Sequence, residues 1–245
     1  MKDNPSHSPF PSTRWSVVLA VRAAGDERAA QAALARLCAD YWYPLYAFAR
    51  RRGCSAHDAQ DRTQGFFADI VEKNLFAEAE PQLGKLRTFL LTAFQRFLRD
   101  VHDHDHARKR GGGEVLALDI STGEDCFARE PADPATPEKT FARHWALAVL
   151  RAALAALAEE EARAGRTAPF RALEPFLSPD SAAEPDYADA ARQLGVSEDA
   201  ARQSVSRLRK KFRETLRGQI ADTLHDPSAE HIAEELASLR AALRG

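Results

Sequence analysis

Between Glu198 and Arg217, seven bases (Arg202, Arg207, Arg209, Lys210, Lys211, Arg213 and Arg217) stand against three acids, Glu198, Asp199 and Glu214. A helix so rich in fixed positive charge suits a polyanion, and the phosphate backbone of a nucleic acid is the obvious one. The chain as a whole does not share this surplus. Its 245 residues carry a formal net charge of -2, so any attraction to phosphate must come from local patches. A solvated basic helix packed on its neighbour is the blander reading, and the residues just upstream argue against it. A helix-turn-helix needs a small residue where two helices cross, a glycine able to take positive φ in the turn, and apolar residues that lock the second helix onto the first. Ala191, Gly195 and the set Ala190, Leu194, Val196, Ala201 and Val205 meet those needs in order, with Ser197 placed to cap the second helix. A helix-turn-helix is therefore expected over 187–217.

In that motif the start of the second helix enters the major groove while later residues run beside the backbone. Ser197, Asp199, Arg202, Gln203 and Ser206 lie near the start, and Asp199, Arg202, Gln203 and Ser206 have side chains able to reach base edges. Arg207, Arg209, Lys210 and Lys211 follow and are placed for phosphate.

The elements that position these residues read as helical, with almost no strand-like alternation. Trp15, Val18 and Leu19 suggest a short first helix, and a second is expected from about Glu27 to Tyr41. Pro44 suits the first turn of a further helix that Gly53 would stop. Ser55 to Asp58 reads as a capping box opening the next helix, with Phe66, Phe67, Ile70 and Val71 on one side and Asp58, Asp61 and Gln64 on a more polar one. After Gly84, the set Leu86, Phe89, Leu90, Ala93, Phe94, Phe97, Leu98 and Val101 marks a strongly amphipathic helix. Its polar side begins at Lys85 and Arg87 and continues through Arg96 and Arg99 towards Arg108, Lys109 and Arg110, a second basic track, opposed by Asp103 and Asp105. His102 and His106 share a helical face but His104 points away, so the three histidines do not converge and no metal is expected.

Residues 111–136 hold six acids, one base and two prolines, and read as a flexible acidic linker. Helical signal resumes with Thr136 as cap and Pro137 in the first turn, and Phe141, Trp145, Leu147, Leu150, Leu154 and Leu157 form a buried stripe. The expected fold is thus all-α, with a first helical domain over 1–110, the linker, and a second domain over 137–245 that holds the helix-turn-helix and a C-terminal helix. Cys38, Cys54 and Cys126 form no C-x-x-C pair, and no stretch of about 18 apolar residues or signal peptide is visible, so a cytoplasmic protein without a membrane partner is expected. No phosphate-cradling loop, metal-ligand set or nucleophile motif stands out, so neither catalysis nor a cofactor is expected.

Taken in order, "TRWSVVLAV", "YWYPLYAFARRRG", "DAQDRTQGFF", "LRTFLLTAFQRFL", "RKRGGG", "TPEKTFARHWALAVL" and the helix-turn-helix resemble the extracytoplasmic-function subfamily of RNA polymerase sigma factors over nearly the whole chain. The resemblance implies a non-catalytic subunit that binds core RNA polymerase, through the clamp helices of beta-prime and the beta flap, and directs it to promoter DNA, both double-stranded and melted. An anti-sigma factor is a further candidate partner. The first domain corresponds to sigma region 2, with "DAQDRTQGFF" as docking helix, so Asp58, Asp61, Gln64 and Phe67 become candidates for the polymerase contact. The helix from Leu86 corresponds to the minus-10 segment, with Arg96, Arg99, Arg108, Lys109 and Arg110 as DNA contacts, and the second domain corresponds to the minus-35 reader.

Two positions depart from the docking motif: Arg62 stands where an aliphatic residue is usual, and Gly65 where a glutamate is. The competing reading is an ordinary helix-turn-helix regulator whose N-terminal helices bind a partner or dimerise. A simple regulator has no need of "DAQDRTQGFF" and "LRTFLLTAFQRFL" together.

Overall fold

A computed structural model describes residues 27–72, 85–105, 121–128, 136–177 and 185–244. Among them every regular element is helical: α1 (Glu27–Arg51), α2 (Ala56–Glu72), α3 (Leu86–Asp105), α4 (Ser121–Ala128), α5 (Pro137–Arg163), α6 (Thr167–Leu173) with a 3-10 turn at Glu174–Phe176, α7 (Tyr187–Leu194), α8 (Glu198–Ala221) and α9 (Ala229–Arg244). The chain is all-α, as its periodicity indicates. The helix expected around Trp15 lies outside the described residues.

Two compact units are distinguished, one from the described residues of 1–148 with 220–245, the other from those of 149–219. The first unit is built on α1, α2 and α3. Leu45, Phe48, Phe66, Phe67, Ile70, Leu86, Leu90 and Phe94 are buried almost completely. Phe66 lies 5.0 Å from Phe94 and 5.8 Å from Phe97, centroid to centroid, so aromatic packing joins α2 to α3. Gly65 lies at this contact, where a Cβ would come within 3.3 Å of Phe97 Cζ and the larger side chain of the usual glutamate would crowd the ring. Where a glutamate was the family expectation, the glycine admits a ring.

Pro44 does not start a helix, as its sequence context suggested, but lies inside the continuous 25-residue α1. A proline there removes one backbone hydrogen bond. Burial of Tyr41, Trp42, Leu45, Tyr46 and Phe48 around it holds the helix through the defect. The Ser55 cap forms as expected, with Asp58 N–H donating to Ser55 Oγ at 3.1 Å, while the Asp58 carboxylate accepts from the Ser55 hydroxyl at 2.7 Å in place of the backbone N–H of a full capping box.

The segment read as a linker contains helix α4. Its composition concealed a specific anchor on α1. Glu124 accepts two hydrogen bonds from Arg50, at 2.9 and 3.1 Å, and another from Tyr46 Oη, while Phe127 lies under the guanidinium of Arg50, 4.8 Å from the ring centroid. Burial and the hydrogen bond to Glu124 push the Tyr46 hydroxyl up to about 12. The remainder of 111–135 lies outside the described residues.

Helix α5 begins as expected, Thr136 Oγ1 accepting from Lys139 N–H at 3.3 Å. An 18-residue window within it has a mean hydropathy of 1.3, making it the one described helix long and apolar enough to cross a membrane, contrary to the reading of the sequence. Phe141, Trp145, Ala146, Val149, Ala153 and Leu157 of this helix are buried among the described residues, which accounts for its apolar character.

The C-terminal segment, grouped in sequence with the helix-turn-helix, makes its contacts with α3. Leu86 N–H donates to the Thr223 carbonyl at 3.2 Å beside an isolated bridge between Lys85 and Leu224. Glu235 of α9 is fully buried and receives Arg87 and Lys85. The Arg87 guanidinium also lies 4.5 Å from the Trp145 ring centroid.

Candidate nucleic-acid interface

The second unit is organised around Leu157, Phe170, Leu173, Phe176, Ala190, Val205 and Leu208. Helix α7 opens with Asp186 accepting from Ala188 N–H at 2.9 Å and closes on Gly195, whose φ of +66° is the left-handed conformation that favours glycine. Two further residues lead to α8. Ser197 Oγ accepts from Ala200 N–H at 3.3 Å, so the cap expected there is present. Ala190 and Ala191 on α7 and Ala201 and Val205 on α8 are buried, whereas Val196, expected in the core, is 44% exposed. Its backbone N–H is bonded to the Ala191 carbonyl at 3.0 Å, and its side chain is left to solvent.

On α8 the buried set Ala201, Val205 and Leu208 defines one side, and exposed Gln203, Arg207 and Lys210, at steps of four and three, lie on the opposite side. Asp199, Arg202 and Ser206 are exposed as well. The bases are held in different ways. Arg202 has its Cζ 4.3 Å from the Tyr187 ring centroid and Nη2 3.8 Å from a Glu198 oxygen. Arg207 Nη2 donates to Ser204 Oγ at 3.2 Å, and Lys210 lies 4.0 Å from Glu214.

Arg209 and Lys211 are engaged inward. Arg209 donates through Nε and Nη2 to the Phe176 carbonyl at 3.4 and 3.3 Å, and Lys211 is ion-paired with Glu161. Glu161 is buried and also receives both Nε and Nη2 of Arg166, at 2.5 and 3.0 Å. Those hydrogen bonds hold its carboxyl at about 2, against the opposing effect of burial. Sequence spacing alone grouped Lys211 with the phosphate contacts. The fold uses much of its charge to satisfy a carboxylate that no local signal marked as buried.

On α3, Arg96 and Arg99 are exposed, Arg99 donating through Nε to the Gln95 carbonyl at 3.3 Å. Arg108, Lys109 and Arg110 lie outside the described residues, so of the five bases on this track the structure describes Arg96 and Arg99. The side chains of His102, His104 and His106 are also outside it. Among the described residues no group of three or more metal-ligating side chains gathers.

On α2, Asp58 and Asp61 are exposed, Asp61 Oδ2 lying 3.5 Å from His57 Nε2. The hydrogen bond from Ser55 holds the Asp58 carboxyl below the usual carboxylate range. Gln64 is half-buried, and its Nε2 has no hydrogen-bond partner among the described residues. Phe67, named as a candidate for the polymerase contact, is 2% exposed and packs 5.8 Å from Phe66, centroid to centroid, so both phenylalanines lie in the core. Adjacent aromatic residues in a helix can share one core when its neighbours reach around it, as α1 and α3 do here.

No protein-family model matches the sequence, and neither a curated protein nor a solved structure matches it.

Proposed function

We propose that the chain is a sigma-type transcription initiation subunit, which binds core RNA polymerase and reads promoter DNA through α7 and α8. The observation that carries the DNA half of this reading is the short Gly195 turn between α7 and α8 with exposed Gln203, Arg207 and Lys210 opposite the buried side of α8. In such an arrangement the first turns of α8 approach base edges, and Lys210, with Arg213 and Arg217 further along, neutralises phosphate. Exposed Arg96 and Arg99 would follow the backbone of a second DNA segment. Nothing in this role asks the chain to make or break a bond, and the polymerase supplies the catalytic groups and magnesium.

The polymerase half rests on the sequence resemblance and on the exposed Asp58 and Asp61 of α2. Burial of Phe67 takes one of the four contact candidates away and is the observation that favours a second reading, a helix-turn-helix regulator with a partner-binding N-terminal half. Gel filtration of the full chain with core polymerase, followed by run-off transcription on genomic fragments, separates the two. Co-elution and specific transcripts are expected. DNA binding without co-elution would leave the regulator.

A further inference from the structure

We propose that Tyr187 is a positioning residue for base reading by Arg202, a proposal that rests on α8 being the DNA-reading helix. The tyrosine opens α7, its backbone fixed by the Asp186 cap. Its ring packs on Phe176 with centroids 4.7 Å apart, and Phe176 belongs to the core of the second unit. The ring is therefore anchored, and Arg202 rests on an anchored surface, with Cζ 4.3 Å from the centroid.

What distinguishes Arg202 from its neighbours is the kind of partner that holds it. Arg209 gives its donors to the Phe176 carbonyl, and Lys211 gives a donor to Glu161. An aromatic ring attracts the cation through its π face without presenting the carbonyl or carboxylate oxygen that would engage the N–H donors strongly. Glu198, at 3.8 Å, is beyond hydrogen-bond distance. The guanidinium is thus restrained while its donor edge stays available, and a guanine presents O6 and N7 to such an edge in the major groove. An arginine already restrained loses less side-chain entropy when it makes that pair. A ligand base of this chemistry, a guanine read bidentately, is the target the geometry favours.

The test uses the full chain. A pool of duplexes randomised over about ten base pairs, one helical turn, is selected for binding, and the affinity ratio between the enriched duplex and the same duplex with each guanine replaced in turn is measured for variants. Tyr187→Leu is expected to lower the ratio at one guanine about tenfold, in the lower part of the range for one bidentate pair because the arginine itself remains, and to leave affinity for scrambled DNA unchanged. Tyr187→Phe, which keeps the ring, should retain the native ratio. In an Arg202→Ala background, Tyr187→Leu should lower the ratio no further. Retention of the ratio by Tyr187→Leu overturns the proposal, as does its loss in Tyr187→Phe or a further fall in the double variant. Equal weakening on selected and scrambled DNA would reduce Tyr187 to a structural residue and also overturn it. Failure of the native chain to enrich any sequence, by contrast, would bring down the DNA-reading proposal itself.

Discussion

Arg87 and Glu235, 148 positions apart in sequence, meet through two hydrogen bonds of 2.5 and 3.0 Å, with the glutamate fully buried. Burial by itself would raise the Glu235 carboxyl, but the hydrogen bonds from Arg87 and the charge of Lys85 leave it below the usual value. The pair fixes the last helix against the start of α3, together with the Lys85 to Leu224 bridge. A C-terminal helix that the sequence reading grouped with the second domain is built into the first unit.

Removing one member of a buried ion pair strands the other, which typically costs about 3–5 kcal/mol. Glu235→Ala is expected to fall near the lower end, because Lys85 and Arg87 are partly exposed and can regain water. Glu235→Leu combined with Arg87→Met should restore most of the loss. Urea unfolding of the three proteins measures it, and a double variant as unstable as Glu235→Ala would show that packing around Trp145 matters more than the charges. The sign of the pH effect follows from the lowered carboxyl: the pair stabilises above the unfolded glutamate value, and that contribution is lost as pH falls through the lowered folded value.

The anchor of α4 is expected to depend on a single side chain. Glu124→Ala removes the acceptor shared by Tyr46 and Arg50. Amide exchange of residues 121–128 should then accelerate by at least about tenfold while that of α3 is unchanged, as local opening without global unfolding requires. Unchanged exchange across 121–128 would mean that the contacts of Phe127 hold the helix without the carboxylate.

Gly65 gives a packing prediction with two opposing effects. Alanine gains about 1 kcal/mol over glycine inside a helix, while its Cβ must displace the Phe97 ring at 3.3 Å. Phe97 is only partly buried and can shift, so Gly65→Ala should stay within about 1 kcal/mol of the native stability. Gly65→Leu has no such room and should destabilise by about 1–3 kcal/mol, read from thermal unfolding. A stabilising leucine would place Phe97 elsewhere in solution.

Local chemistry was legible where a few neighbouring residues settle the outcome. The cap at Ser55, the cap at Thr136, the left-handed Gly195 and the apolar stripe of α3 could all be read from short stretches. Pro44 could not, because whether a proline starts a helix or sits inside one depends on the packing available to compensate for the lost hydrogen bond. Acidic composition made 121–128 look like linker, whereas one of those acids, Glu124, has its cationic partner 74 residues away. Glu235 was hidden for the same reason, since its partner Arg87 lies 148 residues away, whereas Glu161 has one cation close by, Arg166, and only its second, Lys211, is 50 residues off. Phe67 differs, since both phenylalanines were legible as apolar and only the third dimension could assign the pair to the core.

Lys210 and Lys211 are adjacent in sequence and are expected to behave differently. The Lys210 side chain is 74% exposed and lies 4.0 Å from Glu214, a solvated pairing that a phosphate can readily displace. Lys211 is 39% exposed and is committed to Glu161. Each phosphate contact releases about one counterion, so Lys210→Ala should lower DNA affinity on selected and scrambled duplexes alike and flatten the salt dependence by about one unit. Lys211→Ala should leave that slope nearly unchanged and instead reduce stability, because Glu161 keeps only Arg166 as its cationic partner. The stability arm has a pH signature. Glu161, lowered from the ordinary 4.5 to about 2, stabilises the fold fully above the unfolded value and progressively loses that contribution as pH falls from about 4.5 towards 2. The difference in stability between native protein and Lys211→Ala should therefore be largest near neutral pH and shrink on acidification, while the Lys210→Ala protein tracks the native curve. Urea unfolding between pH 7 and 3, paired with binding across a salt series, reads both arms. A slope change in Lys211→Ala equal to that of Lys210→Ala would show that DNA draws Lys211 away from Glu161, and that the ion pair seen here is given up on binding.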